Sequence, residues 1–374
     1  MKLIFLLSLM YLAQQGCLLA QEPFTYKPKD IPKRDLPEGV TAAEYIKKVH
    51  QERHYRIKVT FKVADEQGLL IEGADIGVGI DSLLHGDGHN NYKGKTNNSG
   101  LYTVESRGQG CSDVVVTKKG YYPSRPQVKW DGILNPGGKI MHKNGGFRPW
   151  NPTINVILKK TGDPIPMKVW LTKGFTIPKI GEEIGFDLFK NDWVKPHGKG
   201  KESDLLIKFE SLFQDENNFN TKMLLRFKNP EDGLIPVPEL SGLESLLKYS
   251  REAPLKGYNT KEIAISRIRG NGESGIPIKP LPKGYYVRFR TVQDPKTGEV
   301  LSAYYGKITK TAYFTRNNHL FQINTIGFKN RKLIHKPGFS FSFYLNPTPN
   351  DRNLEYDQVT NLAPDAPKGV TWLP

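Results

Sequence analysis

The sequence predicts an all-β protein built as two β-sandwich units, a small one followed by a larger one, with one short N-terminal helix. Three observations carry this. From Tyr55 onward apolar and polar residues alternate with a period of two, as in Arg56–Val63 (RIKVTFKV) and Thr153–Lys159 (TINVILK), the pattern of half-buried strands. Short strand-like runs recur along the chain with Gly, Pro, Asn and Asp between them, residues that turn the backbone for separate physical reasons. Runs of strands without regularly interposed helices indicate sandwiches rather than a parallel α/β sheet.

The elements follow in order. Met1-Lys2 give a short positive start, Leu3–Leu12 (LIFLLSLMYL) an apolar run, and residues 13–21 turn small and polar. This is the layout of a signal peptide over residues 1–21, cleaved after Ala20 or Gln21. The run is shorter than the ~20 residues of a spanning helix, and Gln14 and Gln15 interrupt it. The expectation is export to the periplasm, the cell surface or the medium, with no transmembrane segment. A lipid anchor on Cys17 has the small residue it needs in Gly16 but lacks the usual apolar residue at position 14. Removal of the segment leaves Cys111 without a partner for an intrachain disulfide; beside the DVVV run it reads as a buried or turn-region thiol. Two cysteines in 374 residues also exclude a disulfide-stapled scaffold and a cysteine zinc cluster.

Residues 22–54 form a Pro-rich arm and a short helix. Thr41 and Glu44 make a capping box, and the helix over about 41–54 has a thin apolar stripe of Ala42, Tyr45, Ile46 and Val49, suited to a domain edge. The first sandwich spans 55–160. After its opening strand come the turn Asp65-Glu66-Gln67-Gly68, the segment Gly73-Ala74-Asp75-Ile76-Gly77-Val78, a polar loop from Asp81 to Tyr92, the turn Lys95-Thr96-Asn97-Asn98-Ser99-Gly100-Leu101-Tyr102, and Val114-Val115-Val116-Thr117-Lys118-Lys119-Gly120-Tyr121-Tyr122. A Gly/Pro/Trp-rich excursion over 124–152 precedes the closing strand.

That succession of motifs resembles the carboxypeptidase regulatory-like domain, over residues 55–160 only. The resemblance implies a transthyretin-like small β-sandwich that binds or spaces without catalysis of its own, with Tyr102, Tyr121 and Tyr122 plugging its core. The His-bearing loop and the 124–152 excursion depart from the family pattern.

After the hinge-like Lys160–Pro166, residues 161–345 read as the larger sandwich. Strands are expected near 167–173, 184–189, 204–212, 222–228, 262–268, 285–292, 299–315, 319–328 and 339–345, with a hairpin turn at Asp294–Gly298 and a short helix at about 239–249. Residues 346–374 are expected to form a Pro-rich coil on the surface.

No catalytic motif is present: no Ser-His-Asp in a nucleophile elbow, no H-E-x-x-H, no phosphate-binding loop. Glu182-Glu183 and Glu231-Asp232 read as turn residues. Asp81, His85, Asp87 and His89 supply imidazoles and carboxylates of the kind that ligate a divalent metal, although Gly86 and Gly88 make the segment a solvated loop first, and no cofactor is otherwise implied. An amide crosslink between Lys58 and Asn155 is disfavoured, because the alternation turns both outward. Tyr121, Tyr122, Trp130 and Trp150 cluster around the excursion and could stack on sugar rings, against a plain role as caps of a small core; Trp170 and Trp193 read as core. The chain carries 54 Lys+Arg against 38 Asp+Glu, a net charge of +16. Residues 251–340 hold 17 basic and 5 acidic residues, and none is acidic between Glu299 and Asp351. Lys307, Lys310, Arg316, Lys329, Arg331, Lys332 and Lys336 lie in that gap. A basic surface draws polyanions, and for an exported protein these would be polysaccharide or anionic envelope polymer rather than nucleic acid. The sequence thus points to an exported, non-catalytic binding or structural module, the alternative being a polysaccharide hydrolase with its site in the C-terminal domain.

Overall fold

The computed structural model describes residues 38–44, 55–81, 89–108, 110–128, 150–170, 174–237, 245–259, 261–270, 273–275, 282–309, 321–329 and 332–363. The strands are β1 (Tyr55–Asp65), β2 (Asp75–Asp81), β3 (His89–Lys95), β4 (Leu101–Gly108), β5 (Cys111–Thr117), β6 (Thr153–Leu158), β7 (Ile165–Trp170), β8 (Phe175–Thr176), β9 (Glu183–Asp187) and β10 (Asp192–Trp193). There follow β11 (Leu205–Asp215), β12 (Asn218–Phe227), β13 (Gly233–Val237), β14 (Ile263–Gly270), β15 (Glu273–Gly275), β16 (Gly284–Gln293), β17 (Val300–Thr309), β18 (Phe321–Lys329), β19 (Lys332–Leu345) and β20 (Tyr356–Asn361). The protein is all-β, as the alternation predicts. Of the N-terminal helix, residues 42–44 are described as helical. Thr41 Oγ1 accepts from the Glu44 N–H at 3.2 Å and Glu44 Oε2 accepts from the Thr41 N–H at 3.0 Å, the reciprocal bonds of the capping box. The hydroxyl and amide of Thr41 hold the Glu44 carboxyl below its ordinary pKa.

The chain divides into two compact units, Met1–Thr161 with Gly242–Leu246, and Gly162–Ser241 with Leu247–Pro374. The first unit has two three-stranded sheets, β4-β1-β6 and β3-β2-β5. Strand β1 runs antiparallel to β4 and parallel to β6. Its inward residues Ile57, Val59, Phe61 and Val63 are fully buried, and they meet Ile76, Val78 and Ile80 of β2 and Val114 and Val116 of β5. The Asp65 turn works as its residues dictate: Asp65 Oδ1 accepts from the N–H groups of Gln67 and Leu69 at 3.0 and 2.9 Å. Gly100 is required where it stands, with φ +67 and a space in which a Cβ would lie 2.6 Å from the Val63 carbonyl oxygen. Lys58 and Asn155 both face outward: Lys58 pairs with Glu105, and Asn155 is exposed opposite Lys62. Cys111 is half-buried against the core and carries no disulfide.

The second unit has a six-stranded sheet, β10-β9-β11-β12-β14-β15, and an eight-stranded one, β13-β16-β17-β19-β7-β20, with β18 and β8 also on β19. Between them lies an aromatic core. Phe186, Phe209, Phe289, Phe339, Phe341 and Phe343 are at most 2% exposed, and Trp170 and Trp193 belong to the same core. Strands β7, β17, β19 and β20 of the eight-stranded sheet also contribute to a second cluster on its other face, which includes Met167, Val169, Ala303, Tyr305, Tyr344, Leu354 and Tyr356.

Two expectations need correction here. Residues 346–363 are not surface coil: Leu354 and Tyr356 are buried, and β20 pairs parallel with β7. What folds this segment is a rhythm of side-chain turns. Asn346, Asp351, Asn353, Asp357 and Asn361 each accept the backbone N–H two residues ahead, a local substitute for ladder bonds. The helix expected at about 239–249 is absent over 245–249, where Ser245 bridges to Ser124 and the Leu246 N–H donates to the Pro123 carbonyl at 2.9 Å; the rest of it lies outside the described residues.

Within the first unit the ring of Tyr102 on β4 lies against the Cα of Gly94 on β3, where any Cβ would collide with it. Burial raises the pKa of that phenol. Gly94→Ala is expected to cost about 1–3 kcal/mol through overpacking, and adding Tyr102→Leu should recover most of the loss. Thermal melts of the two single variants and the double variant check it; an additive result would show that the two residues do not compete for the space.

Candidate functional site

The outer face of the β4-β1-β6 sheet gathers polar side chains around one exposed indole. The alternation that buries Ile57, Val59 and Phe61 turns Arg56, Lys58 and Thr60 outward, and the antiparallel register sets Lys58 against Glu105 and Thr60 against Thr103. Trp150 enters from the segment that leads into β6 and is 45% exposed. The Arg56 guanidinium sits over its ring, 5.1 Å from the centroid, a cation–π contact. Arg56 Nη2 donates to Glu105 Oε1 at 2.7 Å, and Lys58 Nζ lies 3.1 Å from Glu105 Oε2. Hydrogen bonds from Arg56 and then Lys58 hold the Glu105 carboxyl below its ordinary pKa. Asn151 follows Trp150 with φ +53, a backbone region that Asn tolerates better than most residues. Its Oδ1 accepts from the Thr60 hydroxyl at 2.8 Å, and Thr60 also contacts Thr103 Oγ1 at 2.8 Å. The Asn151 amide nitrogen has no hydrogen-bond partner among the described residues. The result is an apolar ring edged by an amide donor, a guanidinium, an ammonium and a carboxylate.

Of the other aromatics predicted for sugar stacking, Tyr122 is 6% exposed and so unavailable as a platform. Tyr121 is half-buried, packs against the core and bridges to Lys160 through its backbone. Both are drawn inward by the hydrogen bonds of Tyr122 N–H to the Lys159 carbonyl and of Thr161 N–H to the Gly120 carbonyl. Trp130 lies outside the described residues. In the metal set, Asp81 and His89 pair through the backbone at the ends of β2 and β3, whereas His85, Asp87 and all four side chains lie outside the described residues. Among the described residues no group of three or more His, Cys, Asp or Glu is arranged to hold a metal.

The basic set divides. Lys310, Arg316 and Arg331 lie outside the described residues, as do the side chains of Lys329 and Lys332, whose backbones face each other at the end of the β18–β19 pair. Lys336 is exposed. Lys307 is a correction. It is 1% exposed, because the face it shares with Ala303, Tyr305 and Thr309 is the one covered by residues 249–258 and 346–356. Its Nζ donates to the Leu354 carbonyl at 2.7 Å and lies 4.9 Å from the Tyr344 ring centroid and 5.5 Å from that of Tyr249. It offers nothing to an external polyanion.

The sequence reading missed a second constellation, at one edge of the larger sandwich. A bulge interrupts the β16–β17 pairing between Phe289 and Val292, and there Arg290 has φ +53. A residue of this size rarely adopts that conformation. Asp232, 2% exposed, fixes it: Oδ2 accepts from the Arg290 N–H at 3.0 Å and Oδ1 from the Thr291 N–H at 2.8 Å. The side chain then crosses to the facing sheet. Nε donates to Asp204 Oδ1 at 2.8 Å, and Nη2 donates to Asp204 Oδ2 and to Asp187 Oδ1, each at 3.1 Å. Glu202 Oε2 lies 3.1 Å from Nε. Burial pushes the Asp204 carboxyl up to about 6 against the pull of Arg290, and burial likewise raises Asp232. The sequence carries little signal for it: Asp187 ends β9, Asp204 and Asp232 stand just before β11 and β13, and Glu231-Asp232 reads as turn chemistry.

No family model and no curated protein matches the chain. Among solved structures it is similar to catechol 1,2 dioxygenase of Acinetobacter radioresistens, at 16% identity over 30% of this chain and 55% of that one, with a TM-score of 0.23. It is also similar to a streptococcal ancillary pilin, at 13% identity over 69% and 60% with a TM-score of 0.18. The major pilin subunit of Bacillus cereus gives 12% identity over 66% and 91% with a TM-score of 0.18. The chain thus spans about half the length of the dioxygenase, and likenesses with TM-scores this low carry no functional argument.

Burial lowers the pKa of Lys307 to about 7. A folded value below the unfolded one means that the unfolded chain binds the extra proton between about pH 7 and 10.4, so this group's contribution to stability rises with pH across that window. Relative to Lys307→Met, the wild-type chain should gain on the order of a few kcal/mol between pH 7 and 10. Denaturant unfolding of both at several pH values reads the difference, and a constant difference would show that the amine titrates normally.

Proposed function

We propose that this chain is an exported, non-catalytic binding protein whose first unit, a carboxypeptidase regulatory-like sandwich, takes carbohydrate on the outer face of the β4-β1-β6 sheet. The observation that carries the reading is the exposed Trp150 indole with Arg56, Asn151 and Glu105 at its edge. A sugar ring has apolar C–H faces and a polar rim. An aromatic surface with donors and acceptors around it answers both, as in ligand sites where apolar contact gives area and a few polar groups fix orientation. Arg56, Lys58 and the exposed Lys62 outnumber Glu105, so the face also suits polysaccharides that carry carboxylates, in keeping with polysaccharide or anionic envelope polymer as partner. Export rests on the signal-peptide layout of residues 1–21, which lie outside the described residues. Among the described residues no helix is long and apolar enough to cross a membrane.

The hydrolase alternative has less to support it. Glycoside hydrolysis needs two carboxyl groups free to act on either side of a bond. In the larger sandwich Asp187, Asp204 and Asp232 each accept hydrogen bonds at both oxygens from the protein itself.

Trp150→Ala is expected to weaken binding of the full chain to its best polysaccharide on a glycan array by about tenfold or more, the scale of a central aromatic anchor. The circular dichroism spectrum should not change, since the ring is half exposed. Arg56→Ala should reduce the salt dependence of binding to acidic glycans. Unchanged binding by the Trp150 variant would move the site elsewhere.

A further inference from the structure

The bulge at Arg290 opens a cleft of about 400 Å³ in the second unit, lined by Glu202, Ser203, Asp204, Lys228, Arg290 and Val292 among others. That is within the size range of small-ligand sites. Three of its groups have bonding capacity left over. Arg290 is 23% exposed at its side chain, and with Nε and Nη2 committed to Asp204 and Asp187, Nη1 has no partner among the described residues. The Lys228 side chain is exposed and makes no ion pair among the described residues. Glu202, 64% exposed, uses one carboxylate oxygen on Arg290 and leaves the other unpartnered among the described residues. Val292 is 54% exposed and adds an apolar wall.

We propose that this cleft is a second ligand site, built for the neighbouring hydroxyl groups of an uncharged sugar. The charge balance selects against ions of either sign. The lining carries the carboxylates of Glu202, Asp204 and Asp232 against the cations of Lys228 and Arg290, so an anion approaches an excess of negative charge and a cation meets the guanidinium. A hydroxyl pair needs a donor and an acceptor side by side, and Arg290 Nη1 with Glu202 provides them, with Lys228 as a second donor. The guanidinium is held before any ligand arrives: two aspartates grip one edge, the Phe189 ring lies 4.8 Å from its central carbon, and the backbone is fixed by Asp232. Such preorganisation spares the ligand the cost of ordering the site. Left-handed backbone at a bulky residue is a strain that tends to persist where a site needs it. The cleft does not depend on the Trp150 face, and the two readings stand or fall separately.

The test uses the full chain carrying Trp150→Ala, titrated calorimetrically with cellohexaose, xylohexaose, mannohexaose and maltohexaose, and with hexagalacturonate as the acidic comparison. At least one uncharged hexasaccharide should bind and keep its affinity in about 1 M salt, where the screening length is ~3 Å. Val292→Trp, which fills the mouth from an exposed position, and Glu202→Ala should each weaken that binding at least tenfold without altering the circular dichroism spectrum. Binding by hexagalacturonate alone, binding that neither variant changes, or no binding by any uncharged member would overturn the proposal. If binding in the wild-type background is lost with Val292→Trp but not with Trp150→Ala, the cleft stands and the Trp150 face falls.

Discussion

The larger sandwich depends on one side chain. Arg290 leaves the eight-stranded sheet at a bulge and places its guanidinium between Asp187, at the end of β9, and Asp204, just before β11, both of the facing sheet. Each aspartate also gathers backbone. Asp204 accepts from the Leu188 N–H, and Asp187 from the N–H groups of Lys190, Lys201 and Glu202. The three charges therefore fix the loops on both sides of β10 as well as the spacing of the sheets. Charges this deeply placed are costly to desolvate, and an apolar replacement of the whole set could be as stable. What the set provides is geometry. Removing one member strands the others in the interior, so the bulge, the loops and the cleft mouth stand or fall together.

Lys307 shows the same physics with less compensation. It enters a face that includes Tyr249 and Tyr344, donates to the Leu354 carbonyl, and has the buried Glu355 near enough to favour its charge only in part. The face is closed because residues 346–363 return across it. That return is possible without a long strand because Asn and Asp side chains satisfy the backbone locally at each change of direction. The Asn346 amide adds bonds to the Asp351 and Asn353 carbonyls. Burial of both faces follows from this segment, and it is why a lysine placed by alternation on a polar-looking face ends in the interior.

The strands were legible because alternation is local and survives any tertiary arrangement. Phe61, Phe209 and Phe341 could be placed inward from their neighbours alone. The capping box at Thr41 and Glu44 and the outward direction of Lys58 and Asn155 were legible for the same reason. Residues whose environment is set by distant chain were not. Period-two reasoning says which residues share a face with Lys307 but not whether that face is covered. Asp232 looked like a turn residue, and it does sit beside a turn, yet its carboxylate serves a bulge about sixty residues away in the chain. Arg290 carries no local mark at all, since a left-handed conformation at a non-glycine position arises only when the surroundings impose it. At the Trp150 face the indole was legible as a candidate. Arg56, Glu105 and Asn151 were not, because parallel pairing of β1 with β6 is what brings the two ends of the domain's sequence together.

These placements change what the charge distribution can mean. The surplus over residues 251–340 invited a basic surface, but Arg288 and Lys307 are buried and Arg290 is spent on acids from another part of the chain. A count along the sequence treats such residues as surface charge, whereas the field outside the protein depends on charges that remain unpaired and exposed. The attraction of any charged molecule is then set face by face rather than by the total. At Trp150 the local excess is positive and lies on an open sheet, where screening governs it; at the Arg290 cleft the cations are outnumbered by carboxylates. A net charge of +16 is compatible with both, and only the pairing of each charge separates a face that welcomes anions from one that turns them away.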